Sequence, residues 1–233
     1  MIVATHQPDY IPWLGLYYKM AHCDTFVYLD DVQFAKRGAH NFNDIKTPNG
    51  KLRLTIPVSQ TRGDSINSVK VLYDLRWQEK HLKTIELAYK KTPYFNDIFP
   101  SIQSIISTEY PDLPSINYAI NEYICGGFGI HPNIIRSSTL QISSNKEDRI
   151  LDICEKIGAT VYLSGNGARA YQDENHFQKR GIELQYLDYK PIVYPQRWGD
   201  FLPCMSVIDY IFNCGFDWEY VEHQVKLQAC ADI

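Results

Sequence analysis

A chain of 233 residues is long enough to bury a substantial core, which excludes mini-proteins and scaffolds stapled by disulfides. Hydrophobic residues make up 45% of the chain and charged residues 21%, close to ordinary globular usage, so intrinsic disorder and fibrous repeats are excluded as well. The net charge is −4 and no basic stripe is concentrated enough to neutralise phosphates, so bulk nucleic acid is not an expected partner.

The amino-terminal segment has neither the cationic region nor the apolar run of a signal peptide, and no window reaches the roughly 20 apolar residues of a membrane span. We therefore predict a soluble, cytoplasmic protein. Six cysteines are scattered without a Cys-x-x-Cys pair, so we predict reduced, mostly buried thiols and no metal site: Cys23, Cys125, Cys154, Cys204, Cys214 and Cys230. The sequence identifies no cofactor.

The chain opens with a predicted strand, helix and strand. Ile2 to His6 is a short β-branched run, Ile11 to Cys23 has helical periodicity, and Phe26 to Leu29 reads as a second buried strand. This order predicts parallel pairing, with a ligand-accessible crevice beyond the carboxyl ends of the strands. His6 and the pair Asp30-Asp31 would lie at that edge.

An insertion of different character follows at about 41–130. Alternating residues predict a hairpin over 43–58 with a type I′ turn at Asn49-Gly50, and 69–72 is a candidate third strand. From Asp74, a predicted N-cap, helices are expected over 75–91, 95–107 and 115–125, with Gly126-Gly127 ending the last.

The opening pattern then resumes. We predict a strand at 134–135, a helix over 146–157, a strand over 160–163, a helix over 173–180 and a strand over 182–187, with Gly158 and Gly181 at helix ends. The predicted fold is α/β, with a mostly parallel Rossmann-like sheet in a single domain of residues 1–233 and a hairpin-plus-helices insertion at 41–130.

Polar residues are densest where the first predicted strand ends. His6 and Gln7 precede a proline-shaped loop with Tyr10 and Trp13, and Pro12 suits the first turn of the following helix. A helix N-terminus beside polar side chains favours an anionic group, so His6 is a candidate catalytic residue and the other three are candidate substrate-binding residues. The alternative is that the prolines only shape a turn and His6 is hydrogen-bonded in place.

Asp30 and Asp31 follow the second predicted strand directly. Paired carboxylates there can bind a metal, hold a sugar hydroxyl or act as a general base, which makes both candidate catalytic residues. Gln33, Lys36 and Arg37 come next, and the two cations could neutralise a diphosphate. The alternative is a solvated turn with surface cations.

Four later residues complete the candidate substrate-binding residues. Ser164-Gly165 begins a glycine-containing turn at a strand end, where backbone can approach a ligand closely. Gln196 lies in the Tyr194-Pro195-Gln196 segment, and His81 shares a helix face with Trp77 and Ile85, a position more typical of a core histidine. Asp209, in an apolar helix, must be exposed or paired, for example with a tyrosine. No Gly-x-Ser-x-Gly elbow or cysteine-protease signature is present.

Four segments stand out together: His6-Gln7-Pro8-Asp9-Tyr10-Ile11-Pro12-Trp13-Leu14-Gly15, Leu29-Asp30-Asp31-Val32-Gln33-Phe34, Tyr162-Leu163-Ser164-Gly165, and the stretch from Tyr194-Pro195-Gln196 to Asn213. Together they resemble the WbqC-like family of bacteria, and the match covers nearly the whole chain. The resemblance implies a place in the biosynthesis of O-antigen, the lipopolysaccharide side chain, or of another surface polysaccharide, with transfer of glycine to an amino sugar as one suggested role. It implies no established catalytic residues.

A weaker resemblance is to nucleotidyl transferases and aminoacyl-tRNA synthetases whose first strand leads into a His-x-Gly-His motif. Trp13-Leu14-Gly15-Leu16 occupies that position, but only the glycine is present. Ser143-Ser144-Asn145-Lys146 weakly resembles the second phosphate-binding loop of these enzymes.

The leading hypothesis is a transferase that acylates or aminoacylates a nucleotide-linked amino sugar. In it, His6 or Asp31 takes the proton from the sugar amine, Lys36 and Arg37 hold the diphosphate, and the Ser164-Gly165 turn binds the donor or its oxyanion. One alternative is a non-catalytic nucleotide-sugar binding or scaffold protein, and another is ATP-dependent adenylyl or nucleotidyl transfer. The oligomeric state is left open, a homo-oligomer included.

Overall fold

A computed structural model describes the backbone of residues 1–231 and the side chains of residues 1–228. Within these residues the chain forms nine strands: β1 (Ile2–His6), β2 (Thr25–Tyr28), β3 (Phe42–Thr47), β4 (Gly50–Thr55), β5 (Val58–Ser59), β6 (Lys70–Val71), β7 (Asn133–Arg136), β8 (Val161–Gly165) and β9 (Glu183–Leu187). It forms eight α-helices: α1 (Leu14–Ala21), α2 (Trp77–Tyr89), α3 (Phe95–Ser107), α4 (Leu113–Phe128), α5 (Lys146–Ile157), α6 (Glu174–Lys179), α7 (Val207–Cys214) and α8 (Trp218–Ala231).

Five strands form one parallel sheet in the order β7-β2-β1-β8-β9. Counted along the chain, this is the order 3-2-1-4-5 of a Rossmann-like sheet. The flanking helices and the small antiparallel hairpins complete an α/β fold, so the predicted fold class is confirmed.

The two faces of this sheet carry different helices. Val3, Val27, Tyr162 and Leu184 alternate onto one face, where they form a buried cluster with residues of α5 and α6. Crossovers between parallel strands are right-handed in almost all proteins. Since β1 to β2 and β7 to β8 run in opposite directions across the sheet, this rule places α1 on the face opposite α5.

The chain folds into two compact units. The first contains Met1–Pro8, Gly15–Val32 and Ile130–Tyr189, and therefore holds the five-stranded sheet. The second contains Asp9–Leu14, Gln33–Gly129 and the chain from Lys190 onward. The prediction of a single domain with an insertion at 41–130 stays a prediction.

The second unit is built from the two hairpins and the remaining helices. β3 pairs with β4, and β5 pairs with β6, so the candidate third strand joins β5 in a separate two-stranded sheet. Helix α3 packs on α2, on α4 and on α7, which leaves Ile102, Ile106 and Ile120 fully buried. The three helices predicted over 75–125 are therefore present.

The helix expected from Ile11 begins at Leu14 instead. Ile11 has a φ of +36°, outside the right-handed helical region, and the Pro12 carbonyl accepts a hydrogen bond from Val207 N at 2.9 Å. Trp13 pairs with Ser206 in an isolated β-bridge. Pro12 therefore precedes the helix rather than lying in its first turn, because segment 11–13 is bonded within the second unit.

Two predicted boundaries in the insertion also differ. Thr47 pairs with Gly50, so the hairpin loop is Pro48-Asn49, and Gly50 has the positive φ of +89° at the start of β4. The loop is thus not the type I′ Asn-Gly turn, since proline cannot adopt a positive φ.

Helix α2 begins at Trp77 after Arg76, with Asp74 in a preceding 3-10 turn, so Asp74 is not its N-cap. Helix α4 continues through Gly126-Gly127 and ends at Phe128, and Gly129, with a φ of +70°, is its C-cap. Gly158 follows α5 and Gly181 follows α6, so both glycines lie at helix ends as predicted, and both have a positive φ.

Within the described side chains, Cys23, Cys125, Cys154, Cys204 and Cys214 form no disulfide, but fewer of them are buried than the sequence predicted. Cys125 and Cys154 are buried, Cys23 and Cys214 are half-buried, and Cys204 is exposed. The side chain of Cys230 lies outside the described residues.

Candidate functional site

Two neighbouring strands of the first unit end side by side in polar residues. His6 ends β1, and Ser164 and Gly165 end β8, the strand that pairs with β1 in parallel. From β1 the chain first adds strands on one side of the sheet, β2 and β7, and then on the other side, β8 and β9, so the strand order changes direction between β1 and β8. Such a reversal opens a crevice at the carboxyl ends of the strands, and ligands of open α/β sheets bind there.

A cleft of about 820 Å³ lies at this reversal. Its walls come from the end of β1, the end of β8 with the turn that follows, helix α1 and the first turn of α5. The predicted residues His6, Gln7, Ser164 and Gly165 all line it, together with Lys19. The structure thus brings together four of the residues that sequence reasoning selected.

The ring of His6 has a defined tautomer. Its Nδ1 lies 2.8 Å from the backbone oxygen of Gln7. A carbonyl oxygen only accepts, so Nδ1 donates and carries the proton of the neutral ring. The lone pair is then on Nε2, the nitrogen that can act as a base.

Lys19 is a buried cation of the cleft. Its side chain comes from α1, the residue is only 9% exposed, and its Nζ donates to the backbone oxygen of Thr5 at 3.0 Å. Burial lowers the pKa of Lys19 to about 8.

The turn after β8 gives the cleft an open backbone wall. Ser164 is buried, and its Oγ donates to Gln172 Oε1 at 2.7 Å. A Cβ built on Gly165 or Gly167 would meet no atom within 4 Å, so a ligand can approach this backbone. Tyr171, 76% exposed, adds a large aromatic ring to the same wall.

Helix α5 presents its first turn to the cleft through Lys146 and Glu147. The side chain of Asn145, at the N-cap, makes no capping hydrogen bond. The Glu147 carboxylate is already engaged, because it accepts from Asp173 N at 3.0 Å and pairs with His176 Nδ1 at 2.7 Å.

Asp30 and Asp31 lie just past the end of β2 and are held by the segment after β7. Asp30 is 3% exposed and accepts from Ser138 N at 2.9 Å and from Ser138 Oγ at 2.8 Å. Asp31 accepts from Ser137 Oγ and forms an ion pair with Arg149 of α5. Both carboxylates thus link the end of β2 to the segment after β7. Their catalytic role stays a prediction.

Tyr10, Trp13 and His81 belong to the second unit. Tyr10 is fully buried, and its OH donates to His81 Nδ1 at 3.1 Å, because His81 Nε2 must donate to the Thr55 carbonyl at 3.1 Å. Burial lowers the pKa of His81 to about 4, so the ring is neutral. This is the arrangement of a core histidine, and a substrate-binding role for Tyr10, Trp13 and His81 stays a prediction.

Gln33, Lys36 and Arg37 also belong to the second unit, and all three are exposed. Gln33 and Lys36 line a depression of about 730 Å³, whose other wall includes Arg62. The assignment of Lys36 and Arg37 to a diphosphate stays a prediction.

Gln196 is a member of a buried polar network in the second unit. Its Nε2 donates to Asp209 Oδ2 at 2.7 Å, and Asp209 also accepts from Tyr89 OH at 2.8 Å and Tyr194 OH at 2.9 Å. Lys46 donates to Gln196 Oε1 at 3.0 Å. Asp209 is therefore paired with tyrosines, as its position in an apolar helix predicted, and substrate binding by Gln196 stays a prediction.

Sequence reasoning missed Lys19 and Tyr171. A signal for Lys19 was available, because it is the one charged residue within α1, whose other residues up to Met20 are apolar or aromatic apart from Gly15. Tyr171 carried no such signal, since it follows β8 in an irregular segment.

The fold and the cleft define a class: an α/β protein with a Rossmann-like parallel sheet and a ligand-sized cleft at its topological switch point. The model of the WbqC-like protein family matches residues 7–219. The chain belongs to this family, as its motifs indicated. No helix within residues 1–231 combines the length and apolarity that crossing a membrane requires.

A relative in Mycobacterium tuberculosis (strain ATCC 25618 / H37Rv), named "Uncharacterized protein Rv1507c", is 32% identical over 217 residues. The similarity covers 91% of this chain and 94% of that protein. No solved structure matches the chain significantly.

Proposed function

We propose that this protein is a cytoplasmic transferase that acylates or aminoacylates a nucleotide-linked amino sugar, glycyl transfer included, during assembly of O-antigen or another surface polysaccharide. The observation that carries the proposal is the switch-point cleft, which combines a basic ring nitrogen, an open backbone turn and an exposed aromatic ring in about 820 Å³. Membership of the WbqC-like family supports the pathway.

His6 is the proposed general base. An amine attacks an acyl group only through its lone pair, so a proton must leave the sugar nitrogen. His6 Nε2 can take that proton because Nδ1 donates to Gln7 O. Asp31, the other candidate, is already engaged by Arg149 and Ser137, so we assign it to positioning this edge of the sheet.

The proposed step conserves atoms and charge. The sugar nitrogen attacks the acyl carbon of the donor, and a C–N bond forms as the bond from that carbon to the leaving group breaks. The proton accepted by His6 passes to the leaving group. Backbone N–H groups of the turn at Ser164-Gly165 are assigned to the oxyanion, because this backbone is open to a ligand.

Tyr171 is the proposed platform for the nucleobase. It is 76% exposed although it lines the cleft, and an aromatic face of this kind stacks on any base. A stacked base contributes about 1–3 kcal/mol by alanine substitution.

The test is thermal unfolding with a panel of nucleotide-linked amino sugars, their hydroxyl counterparts, free nucleotides, and ATP with magnesium. A ligand at a hundred times its Kd adds about 2.7 kcal/mol, or roughly 5–10 °C for a chain of this length. We expect this shift with an amino-sugar nucleotide, and amide formation, followed by mass spectrometry, once the matching acyl donor is added.

Three variants sharpen the test. His6→Ala should lose turnover and keep the thermal shift, while Tyr171→Ala should lose most of the shift and Tyr171→Phe should keep it. A shift without transfer from any donor would indicate a nucleotide-sugar binding protein instead. A shift with ATP alone would favour adenylyl transfer, and full turnover by His6→Ala would remove the assigned base.

A further inference from the structure

Lys19 is a buried cation with few partners among the described residues. An ammonium group has three N–H donors, yet Thr5 O is its one acceptor among the described residues. No carboxylate of the described side chains lies within 4.0 Å of its Nζ. Buried charges are normally paired and fully hydrogen-bonded, since the burial of a charge without partners is strongly unfavourable.

The position of Thr5 O shows where this charge lies. Pairing between β1 and β8 ends at Ala4 and Leu163, so the Thr5 carbonyl lies just where the two strands part. Lys19 Nζ bonds to that carbonyl and lines the cleft. The two remaining donors therefore lie at the switch point, the position where sheets of this order bind ligands.

A second source of positive potential comes from the opposite face of the sheet. The first turn of α5, a helix of 12 residues without a side-chain cap, lines the cleft through the exposed Lys146 and through Glu147. Glu147 is the one carboxylate among the described lining residues, and Asp173 N and His176 already bind it.

From this arrangement we propose that Lys19 is the anion-binding residue of the cleft and that its partner is a phosphoryl group. Two ammonium groups and a helix start suit an anion with more than one charge, such as a diphosphate, better than a single carboxylate. The inference rests on the proposed function, since it assigns the diphosphate of the nucleotide-linked sugar to Lys19 rather than to Lys36 and Arg37.

The experiment measures the Kd of inorganic pyrophosphate by calorimetry on the whole chain. We expect Lys19→Met to weaken pyrophosphate binding at least tenfold, Lys19→Arg to retain most of it, and Lys90→Met to match the wild type. Lys90 is an exposed lysine of the second unit, so it controls for the loss of one positive charge. Acetate is the probe for a single carboxylate, and it should bind far more weakly than pyrophosphate.

An unchanged pyrophosphate Kd in Lys19→Met would overturn the assignment, and so would acetate binding as tight as that of pyrophosphate. Folding is checked by thermal unfolding without ligand, where Lys19→Met should be at least as stable as the wild type because an uncompensated buried charge is gone. Lower stability together with lost binding in Lys19→Met but retained binding in Lys19→Arg still supports a charge-dependent site.

The outcome also separates this inference from the proposed function. If an amino-sugar nucleotide binds equally well to the wild type and to Lys19→Met, the function stands and the assignment of Lys19 fails. If pyrophosphate binding depends on Lys19 but no nucleotide-linked amino sugar binds, the anion site stands and the proposed function fails.

Discussion

The two units each bury a lysine, and the two lysines have opposite surroundings. Lys46, in the second unit, is 1% exposed, and its Nζ donates to Gln196 Oε1 at 3.0 Å, Gly199 O at 3.4 Å and Asp200 O at 2.5 Å. All three of its donors have an acceptor. Lys19, in the first unit, has one acceptor within the part of the chain that the structure describes.

The same contrast holds for the polar groups of the two units. In the second unit Asp209 accepts three hydrogen bonds, and both ring nitrogens of His81 are bonded. In the cleft of the first unit, Lys19 Nζ has a single acceptor among the described residues and the turn at Gly165 is open. A buried polar group that the protein satisfies stabilises the fold, whereas one that it leaves short of partners is suited to a ligand.

Replacing Asp209 is the strongest test of the satisfied network. Asp209→Ala removes the acceptor of the Tyr89 and Tyr194 hydroxyls in a buried site, and it removes one acceptor of Gln196 Nε2, which keeps Leu202 O. We expect a loss of about 3–5 kcal/mol in the free energy of unfolding, measured with urea. Asp209→Asn, which keeps one carbonyl acceptor, is the control and should lose less. A loss below about 1 kcal/mol in the alanine variant would break the comparison.

The buried ring of His81 makes the free energy of unfolding depend on pH. Burial lowers its pKa from 6.5 to about 4, so the unfolded chain binds more protons between these values. The stability present above pH 6.5 is therefore lost as the pH falls toward 4, by on the order of 3 kcal/mol. Urea unfolding at pH 7 and pH 4.5 measures the loss. His81→Gln does not titrate, so an equally steep loss in that variant would assign the effect to other groups.

Replacing each of the two lysines compares the two units directly, and it has the smallest expected effect on stability. Lys46→Met removes the donor from three acceptors and should cost about 2–3 kcal/mol. Lys19→Met removes one hydrogen bond together with an uncompensated charge, so without ligand it should be neutral or stabilising. Parallel thermal unfolding of both variants checks this. Equal destabilisation would mean that Lys19 is as structural as Lys46.

Much of the fold was predictable from local pattern. Helix α5 spans Lys146–Ile157, with the bounds that its periodicity and Gly158 predicted, and the β1-α1-β2 opening led correctly to a parallel sheet. The start of α1 was not predictable, because the backbone of segment 11–13 is fixed by Ser206 and Val207, nearly two hundred residues away. Periodicity reports what a segment prefers and carries no information on such distant partners.

The candidate site likewise contains residues that the sequence predicts and one that it does not. His6, Gln7, Ser164 and Gly165 meet in the cleft because strand ends of a parallel sheet share an edge, which chain order alone predicts. Lys19 was missed because its importance depends on what it lacks, namely acceptors, and an absence of partners is visible only in three dimensions.

The central strand of the sheet also dictates when the protein can fold. β1 is made well before its neighbour β8, which begins 159 residues after Ile2. Pairing across such a separation closes a long loop of chain and is slow. We therefore expect one edge of β1 to stay unpaired until β8 has emerged from the ribosome. Because an unpaired strand edge favours aggregation, we expect chaperones to bind the nascent chain.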